Sequence, residues 1–393
     1  MPDLLEYRVP ISATLLVLSL ASMFVLTSQS GSSLPTYFLA AYTVLGFRRW
    51  SGLWLNWVFL LSVAVSVYIA MTSFWSTPFD ARNALSQFSR ALLGVCFVVA
   101  VAEGFRVDWF RVRMTAALAL CGGAAAAAAV LLFVAVPPED GRLNGLGQLD
   151  AHIRAALCFG VSLVCAIAWM TETRSATWRA VAGVLAVFLA VAVALSNSRN
   201  AWVTVPFGCL VFLISRYAPE RGLPAACGAA FALVAAAVAL ALWFEPSRDA
   251  LLSRGDSYRP DIWADILRRV MDHGPWFGNG VLTDDNVTVA SLVLPHPHNM
   301  YLAVLFQGGV AGLALFLLLV ALALRTLLAH LAEPEAKLAL GILAIGLPAW
   351  LLDGYELVDK IGWTWMLFWF PVAVAVGLGS RRGLEDARRF SGG

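Results

Sequence analysis

The segment from Phe244 to Gly312 reads FEPSRDALLSRGDSYRPDIWADILRRVMDHGPWFGNGVLTDDNVTVASLVLPHPHNMYLAVLFQGGVAG, and it contains the only long polar interval in an otherwise apolar sequence. Between Glu245 and His298 it holds eight acidic residues, five arginines and three of the five histidines of the chain. An apolar stretch begins again directly after His298. This pattern predicts a membrane protein whose chemistry lies in one large charged loop.

The composition of the whole chain agrees with a membrane protein. Its 393 residues are 60% hydrophobic and 13% charged, with a mean hydropathy of +0.77, whereas soluble domains carry roughly 25% charged residues. Continuous apolar runs of about 20 residues can cross ~30 Å of hydrocarbon as helices, which satisfy their own backbone hydrogen bonds. The net charge of +2 without a basic stripe gives no indication of nucleic-acid binding.

These runs predict an all-α integral membrane protein with about twelve transmembrane helices. Residues 1–244 carry the first nine helices, 245–298 the large loop, 299–380 the last three helices, and 381–393 a cytoplasmic tail. The predicted spans are 9–28, 34–47, 52–73, 85–104, 113–136, 151–171, 178–196, 200–217, 223–244, 299–325, 336–352 and 362–380.

The distribution of basic residues predicts how the chain is oriented. With the N-terminus in the cytoplasm, 16 of the 27 lysines and arginines fall on the cytoplasmic side, six in short loops or helix ends on the other side, and five in the long loop. Short cytoplasmic loops carry an excess of positive residues, whereas long loops translocate regardless of their charge. Both termini are therefore predicted in the cytoplasm and the long loop outside.

Within the loop, Asp261 to Asp272 is predicted to form an amphipathic helix, with Pro260 at its first position. Its apolar stripe suits either contact with the helix bundle or contact with lipid, and the sequence leaves both open. The stripe consists of Ile262, Trp263, Ile266, Leu267, Val270 and Met271.

His298 is the first candidate for chemistry, because it stands where the charged loop meets the tenth span. Asn299 after it is a good helix N-cap. A helix N-terminus carries partial positive charge, which attracts phosphate and disfavours an imidazolium ion. We therefore expect a neutral His298 that could act as a general base. The alternative is a structural histidine.

Arg199 and Arg259 are candidate phosphate ligands, because the guanidinium fork matches phosphate oxygens. Arg199 lies in the polar turn Ser196–Asn200 between two apolar spans, where the alternative is a turn anchored at lipid head groups. Other polar residues near the outer span ends are possible supporting groups: Arg82, Arg142, Arg154, Asn299 and Asp353. The middles of the spans are almost free of charge, which argues against a transporter or flippase.

No motif supports a bound cofactor. GxGxxG and Walker patterns are absent, and the six cysteines lie in apolar segments without zinc spacing. His296 and His298 could bind a metal together with Asp284–Asp285, but no ligand-spacing motif accompanies them. The expectation is no cofactor and no metal.

Four features together resemble the O-antigen ligase and polymerase superfamily. They are the upstream Arg199 turn, Arg259 before an Ile-Trp helix, the turn Pro275–Gly280 with its Pro-x-x-Gly-x-Gly pattern, and His298–Asn299 followed by Gly308–Gly309. The resemblance covers roughly Leu195 to Asp353. Residue by residue it implies that Arg199 and Arg259 bind pyrophosphate, that His298 is the essential histidine, and that Asp353 corresponds loosely to a polar residue near the eleventh span.

The resemblance further implies a metal-independent glycosyltransferase of the bacterial inner membrane, with its active site facing the periplasm. Its partners would be an undecaprenyl-pyrophosphate-linked glycan donor, a lipid A–core acceptor and membrane lipids. The favoured activity is O-antigen ligation. An O-antigen polymerase and a protein O-oligosaccharyltransferase remain alternatives, the latter disfavoured because the chain ends about 13 residues after its last predicted span.

The predicted orientation can be tested by cysteine labelling. A cysteine at Asn286 should react with a membrane-impermeant thiol reagent added to cells with a permeabilised outer membrane, because the long loop is predicted outside. A cysteine at Arg216 should react only after the inner membrane is opened. The reverse pattern would overturn the orientation.

Overall fold

A computed structural model describes residues 3–25, 29–46, 50, 52–105, 108–217, 228, 258–289 and 292–391. Its elements are almost all helical. They are α1 (Asp3–Val25), α2 (Gln29–Leu45), α3 (Trp57–Met71) with a 3₁₀ turn at Thr72–Trp75, α4 (Ala81–Gly104), α5 (Asp108–Ala135), a 3₁₀ turn at Gly147–Leu149, α6 (His152–Glu172), α7 (Ala176–Leu195), α8 (Arg199–Tyr217), α9 (Arg259–His273), β1 (Val287–Val289), β2 (Leu292–Leu294), α10 (Met300–Ala329), α11 (Pro334–Ala349), a π-helical turn at Trp365–Trp369 and α12 (Phe370–Ser391).

Six helices of the described residues are long and apolar enough to cross a membrane, so the chain is a multi-pass membrane protein. Three shorter apolar helices accompany them: Ile11–Phe24, Ser33–Leu45 and Trp365–Ser380. The six long helices are Trp57–Trp75, Ala81–Gly104, Phe110–Ala135, His152–Glu172, Ala176–Leu195 and Met300–Ala329. Within the bundle, α6 packs against α5, α7, α8 and α11, and most of its length is buried inside the protein.

Every predicted span within the described residues coincides with a helix, although the last helix continues to Ser391. The ninth predicted span, 223–244, lies outside the described residues apart from Gly228, as does the first part of the loop, 245–257. The total of twelve membrane crossings and the periplasmic position of the loop stay predictions.

The predicted amphipathic helix is confirmed as α9, with a proline in its first turn. Its stripe is divided between two environments. Ile262, Ile266 and Val270 are buried against Phe306 of α10 and Val287 of β1. Leu267 and Met271 of the same stripe are exposed, at 43% and 67%. Contact with the bundle therefore holds one edge of the helix, and the other edge is open.

The loop also contains a small antiparallel hairpin, β1–β2, that the sequence reading did not predict. Each strand is only three residues long. An isolated hairpin of this size is marginal in water, so its support comes from the protein. Val287 is buried against α9, and Leu294 packs against the same cluster.

Helix α10 is broken near its first third, at Gly309, whose φ of 63° and ψ of −164° are not helical. A break leaves backbone groups without intrahelical partners. The turn Pro275–Gly280 supplies hydrogen-bond partners for these backbone groups. The N–H groups of Val310 and Ala311 donate to the carbonyls of Pro275 and Trp276 at 2.8 and 3.1 Å. In return, the N–H groups of Asn279 and Gly280 donate to the carbonyls of Phe306 and Gln307 at 2.7 and 3.0 Å.

This exchange of hydrogen bonds brings two backbones into direct contact. A Cβ atom on Gly309 would lie 2.4 Å from the carbonyl carbon and oxygen of Trp276, and one on Gly278 would lie 2.4 Å from the nitrogen of Gly309. Both residues have positive φ, 63° and 69°. Only glycine combines that conformation with such an approach. The Gly308–Gly309 pair and the glycines of the turn are thus two halves of one contact.

The end of α3 holds the other side of the turn. The Thr72 and Ser76 hydroxyls accept hydrogen bonds from the N–H groups of Val281 and Leu282, both at 3.0 Å. A Cβ atom on Gly280 would lie 2.3 Å from the Ser76 hydroxyl oxygen. The turn is therefore clamped between α3 and α10, which anchors the start of the segment that leads to His298.

A substitution at Gly309 should be far more damaging than one at an open glycine. Gly309→Ala places a methyl group against backbone atoms in a left-handed conformation, so we expect a large fall in the thermal unfolding midpoint or loss of the folded protein. Gly141→Ala is the control, because Gly141 has a φ of 62° but nothing within 4 Å of a built Cβ. It should cost only the conformational penalty of about 1–2 kcal/mol. Equal unfolding midpoints for the two variants in detergent would contradict the backbone contact.

Candidate active site

His298 is held at the start of α10 by three hydrogen bonds of its neighbours. The Asn299 side chain accepts from the Leu302 N–H at 3.1 Å, which confirms it as the predicted N-cap. Its amide nitrogen donates to the Leu351 carbonyl at 3.1 Å, and the Met300 N–H donates to the Trp350 carbonyl at 2.9 Å. The first turn of α10 is therefore fastened to the chain that leaves α11.

This arrangement brings His298 to Asp353, two residues that lie 55 positions apart in the sequence. Nδ1 of His298 is 3.3 Å from Oδ1 of Asp353, and the same oxygen accepts from the Gly354 N–H at 2.9 Å. Asp353 is buried, with 7% of its surface exposed. Burial by itself would raise the pKa of Asp353, but the hydrogen bonds from His298 and Gly354 outweigh burial and lower it.

An ionised Asp353 can only accept hydrogen bonds, so it favours the tautomer in which Nδ1 of His298 carries the proton. Nε2 then carries the lone pair. The side chain of His298 is 31% exposed, so a substrate can reach the ring. A buried carboxylate that orients an accessible imidazole is the arrangement expected of a general base.

His296 is held firmly by aromatic neighbours. Its ring stacks on Tyr355, with centroids 4.2 Å apart and an interplanar angle of 12°, and lies 4.1 Å from the ring of His298. Burial is the largest cause that lowers the pKa of His296, to about 4. His296 is therefore neutral at physiological pH.

Both histidines have left-handed backbone conformations, with φ of 53° at His296 and 50° at His298. Residues other than glycine rarely adopt this region, and each such residue costs about 1–3 kcal/mol unless its surroundings impose it. Backbone strain of this kind concentrates at functional sites. Here Trp263 of α9 supports the segment by donating from Nε1 to the Pro297 carbonyl at 3.1 Å.

Three side chains could together hold a metal ion. One ligand atom from each of His296, His298 and Asp353 falls within 4.8 Å of the others. The sequence reading had named the Asp284–Asp285 pair as partners of the histidines, and the described residues replace that pair with Asp353. In the structure, Nδ1 of His298 is within hydrogen-bonding distance of Asp353, one of the other two residues of this group.

The two predicted phosphate arginines both begin helices whose first turns are tied to this region. Arg199 opens α8, and the next residue, Asn200, donates from Nδ2 to the Ala349 carbonyl at 2.9 Å, at the end of α11. Arg259 opens α9, the helix that Trp263 joins to Pro297. The Arg259 Nε atom is buried and makes no hydrogen bond with the described residues.

The secondary arginines have different surroundings. Arg154, in the first turn of α6, lies with its guanidinium carbon 5.8 Å from the Tyr355 ring centroid, and its charge acts on His296. Arg142 contacts His152 at 3.0 Å and Asp140 at 3.7 Å. Arg82 is exposed in the first turn of α4. Of the three, Arg154 is the one that the described residues connect to the histidines.

Sequence reasoning missed the loop after Asp353 almost entirely. Tyr355 and Glu356 lie beside the histidines, and Arg90 of α4 forms ion pairs with Asp359 at 3.0 Å and Glu356 at 3.7 Å. A usable signal existed, because residues 353–360 place four charged groups between two apolar helices. Spacing along the chain could not show which histidine these groups would meet.

Comparisons with known proteins point to one family. Residues 184–317, which include Arg199, Arg259 and His298, match the O-antigen ligase family profile, Wzy_C. An O-antigen ligase of Pseudomonas aeruginosa is 29% identical over 338 residues, covering 84% of this chain and 80% of that protein. The family resemblance that was predicted from the motifs is thereby confirmed.

Proposed function

We propose that this chain, in which residues 184–317 match the O-antigen ligase family profile, is a membrane glycosyltransferase that moves a glycan from undecaprenyl pyrophosphate to lipid A–core, at the periplasmic face of a bacterial inner membrane. The observation that carries this proposal is the contact between His298 and Asp353 at the start of α10. It supplies an oriented base beside a helix N-terminus, where a phosphate is also attracted.

In the proposed reaction, Nε2 of His298 removes the proton from an acceptor sugar hydroxyl. The hydroxyl oxygen attacks the anomeric carbon of the donor while the bond from that carbon to the pyrophosphate oxygen breaks, so the configuration inverts. Undecaprenyl pyrophosphate leaves with the bonding electron pair, and the proton on His298 passes to solvent. Asp353 keeps the imidazole oriented and stabilises the imidazolium that forms.

Positive groups support the leaving pyrophosphate in this proposal. Arg199 and Arg259 supply bidentate guanidinium groups, and the N-termini of α8 and α10 add the partial positive charge of a helix start. Preorganised charge of this kind stabilises the negative charge that grows on the leaving group. The two arginines and the helix N-termini would then stabilise the leaving group in place of a divalent metal ion. Transfer should therefore persist in EDTA.

Variants of the His298–Asp353 pair test the proposed base. His298→Asn tolerates the left-handed backbone but lacks a base, so transfer to lipid A–core should fall by ~10²–10⁴-fold. Asp353→Asn should cause a smaller loss, and the double variant should be no worse than His298→Asn, since the pair acts as one unit. Rates are measured with purified protein, lipid-linked glycan and lipid A–core.

Binding of the lipid-linked donor should survive in His298→Asn, because both arginines remain. Full turnover by His298→Gln, or additive losses in the double variant, would show that His298 is a helix-start residue or phosphate ligand and not the base. Restoration of activity by Mg²⁺ after EDTA treatment would instead assign His296, His298 and Asp353 to a metal.

Variants of the two arginines test the pyrophosphate clamp. Arg199→Ala and Arg259→Ala should each reduce donor binding and transfer severely, and lysine should restore only part, because it lacks the planar fork. Arg268→Ala is the control on the same helix as Arg259, since Arg268 is exposed and paired with Asp265. Wild-type transfer by either alanine variant, measured in the same ligation assay, would remove that arginine from the clamp.

A further inference from the structure

A polar cavity of about 310 Å³ opens beside the histidines. Its volume is at the lower end of small-molecule sites, which occupy ~300–1,000 Å³, and it suits a mono- or disaccharide. His296 lines the cavity, and the centroid of its ring lies 4.1 Å from that of His298. The polar side chains around it are Asp285, Asn286, His296, Gln307, Tyr355 and Glu356.

Gln307 is the clearest sign that the cavity takes a ligand. The residue is only 5% exposed, and its Nε2 donates to the Tyr355 carbonyl at 2.9 Å, which fixes the amide orientation. Its Oε1 is buried and has no hydrogen-bond partner among the described residues. A buried acceptor without a partner is unfavourable, because it has lost its hydrogen bonds to water. A ligand hydroxyl that donates to Oε1 would remove this penalty.

The charge of the cavity distinguishes it from a phosphate site. Asp285 and Glu356 place two carboxyl groups on its wall. Burial raises the pKa of Asp285 to about 6, and burial followed by the charge of Asp359 raises the pKa of Glu356 well above its usual value. No arginine or lysine is among the described residues that line the cavity, so its wall offers no cation to a pyrophosphate. Carboxyl and amide oxygens are good acceptors for sugar hydroxyls.

We propose that this cavity binds the acceptor sugar, as an uncharged ring whose hydroxyls bond to Asp285, Gln307 and Glu356. The proposal rests on the proposed function, and it divides the site by charge. Arginines and helix starts hold the donor phosphates, whereas an acidic cavity seats the acceptor next to the base. The ring that occupies the cavity carries no phosphate.

Isosteric variants of the two carboxyl groups test this assignment by initial-rate kinetics. Asp285→Asn and Glu356→Gln should each raise the KM for lipid A–core about 10-fold, because each replaces an acceptor oxygen with an amide nitrogen, which cannot accept a hydrogen bond from a sugar hydroxyl. The kcat and the KM for lipid-linked glycan should change little. Asp284→Asn is the matched control, since Asp284 is the exposed neighbour of Asp285 and does not line the cavity. It should leave both KM values unchanged.

A second measurement separates this proposal from the proposed function. Core oligosaccharide released from lipid A by mild acid is titrated against the detergent-solubilised protein, and binding is followed by saturation-transfer NMR without any turnover. The wild type and Asp284→Asn should bind, and Glu356→Gln should bind more weakly at an unchanged unfolding midpoint.

The outcomes are distinct. Binding by the wild type without ligation would sink the proposed function and leave the carbohydrate cavity standing. Ligation with unchanged acceptor KM in both carboxyl variants would overturn the cavity. A rise in the KM for lipid-linked glycan alone would also overturn it, because the cavity would then hold the donor sugar.

Discussion

The backbone contact between the turn Pro275–Gly280 and the break of α10 at Gly309 is the constraint on which the candidate site depends. Four hydrogen bonds between these segments replace those that the helix loses. The part of the polar segment from Pro275 to Asn299 is thereby fixed to α10 at both of its ends, by the turn and by the Asn299 cap. Gln307 of α10 and the loop that carries Asp285 lie between these two fixed points, and both line the cavity. The shape of the cavity is thus a consequence of how a helix is interrupted.

Cationic and acidic residues occupy different structural positions in the same region. Cationic residues begin helices: Arg154 in the first turn of α6, Arg199 at α8 and Arg259 at α9. Acidic residues lie in the connections, at Asp285 and in the 353–360 loop. A helix start adds partial positive charge to its arginine, whereas a connection adds no such field. The proposed pyrophosphate clamp and the proposed acceptor cavity therefore differ in the charge of the side chains that form them.

Much of this architecture could be predicted from the sequence, and the reasons are physical. Apolar runs and the period of α9 depend on local chemistry, so helices within the described residues fall where hydropathy placed them. His298 and Asn299 could be found because they mark a junction between polar and apolar segments. The contact of His298 with Asp353 depends on how α10 meets α11, and the partner of Gly309 depends on a turn about 30 residues earlier. Such tertiary pairings have no local signature, which is why Tyr355 and Glu356 were overlooked.

The left-handed conformations of His296 and His298 have a consequence for how this protein tolerates change. Their unfavourable backbone geometry is maintained by neighbours, chiefly the Tyr355 ring and the Trp263 indole. A substitution that removes either neighbour's contact would let the strained segment relax toward an extended backbone conformation. That conformation has a lower energy for residues other than glycine. Divergence near the site should therefore cost turnover before it costs folding, and a more heat-resistant descendant could be a poorer enzyme.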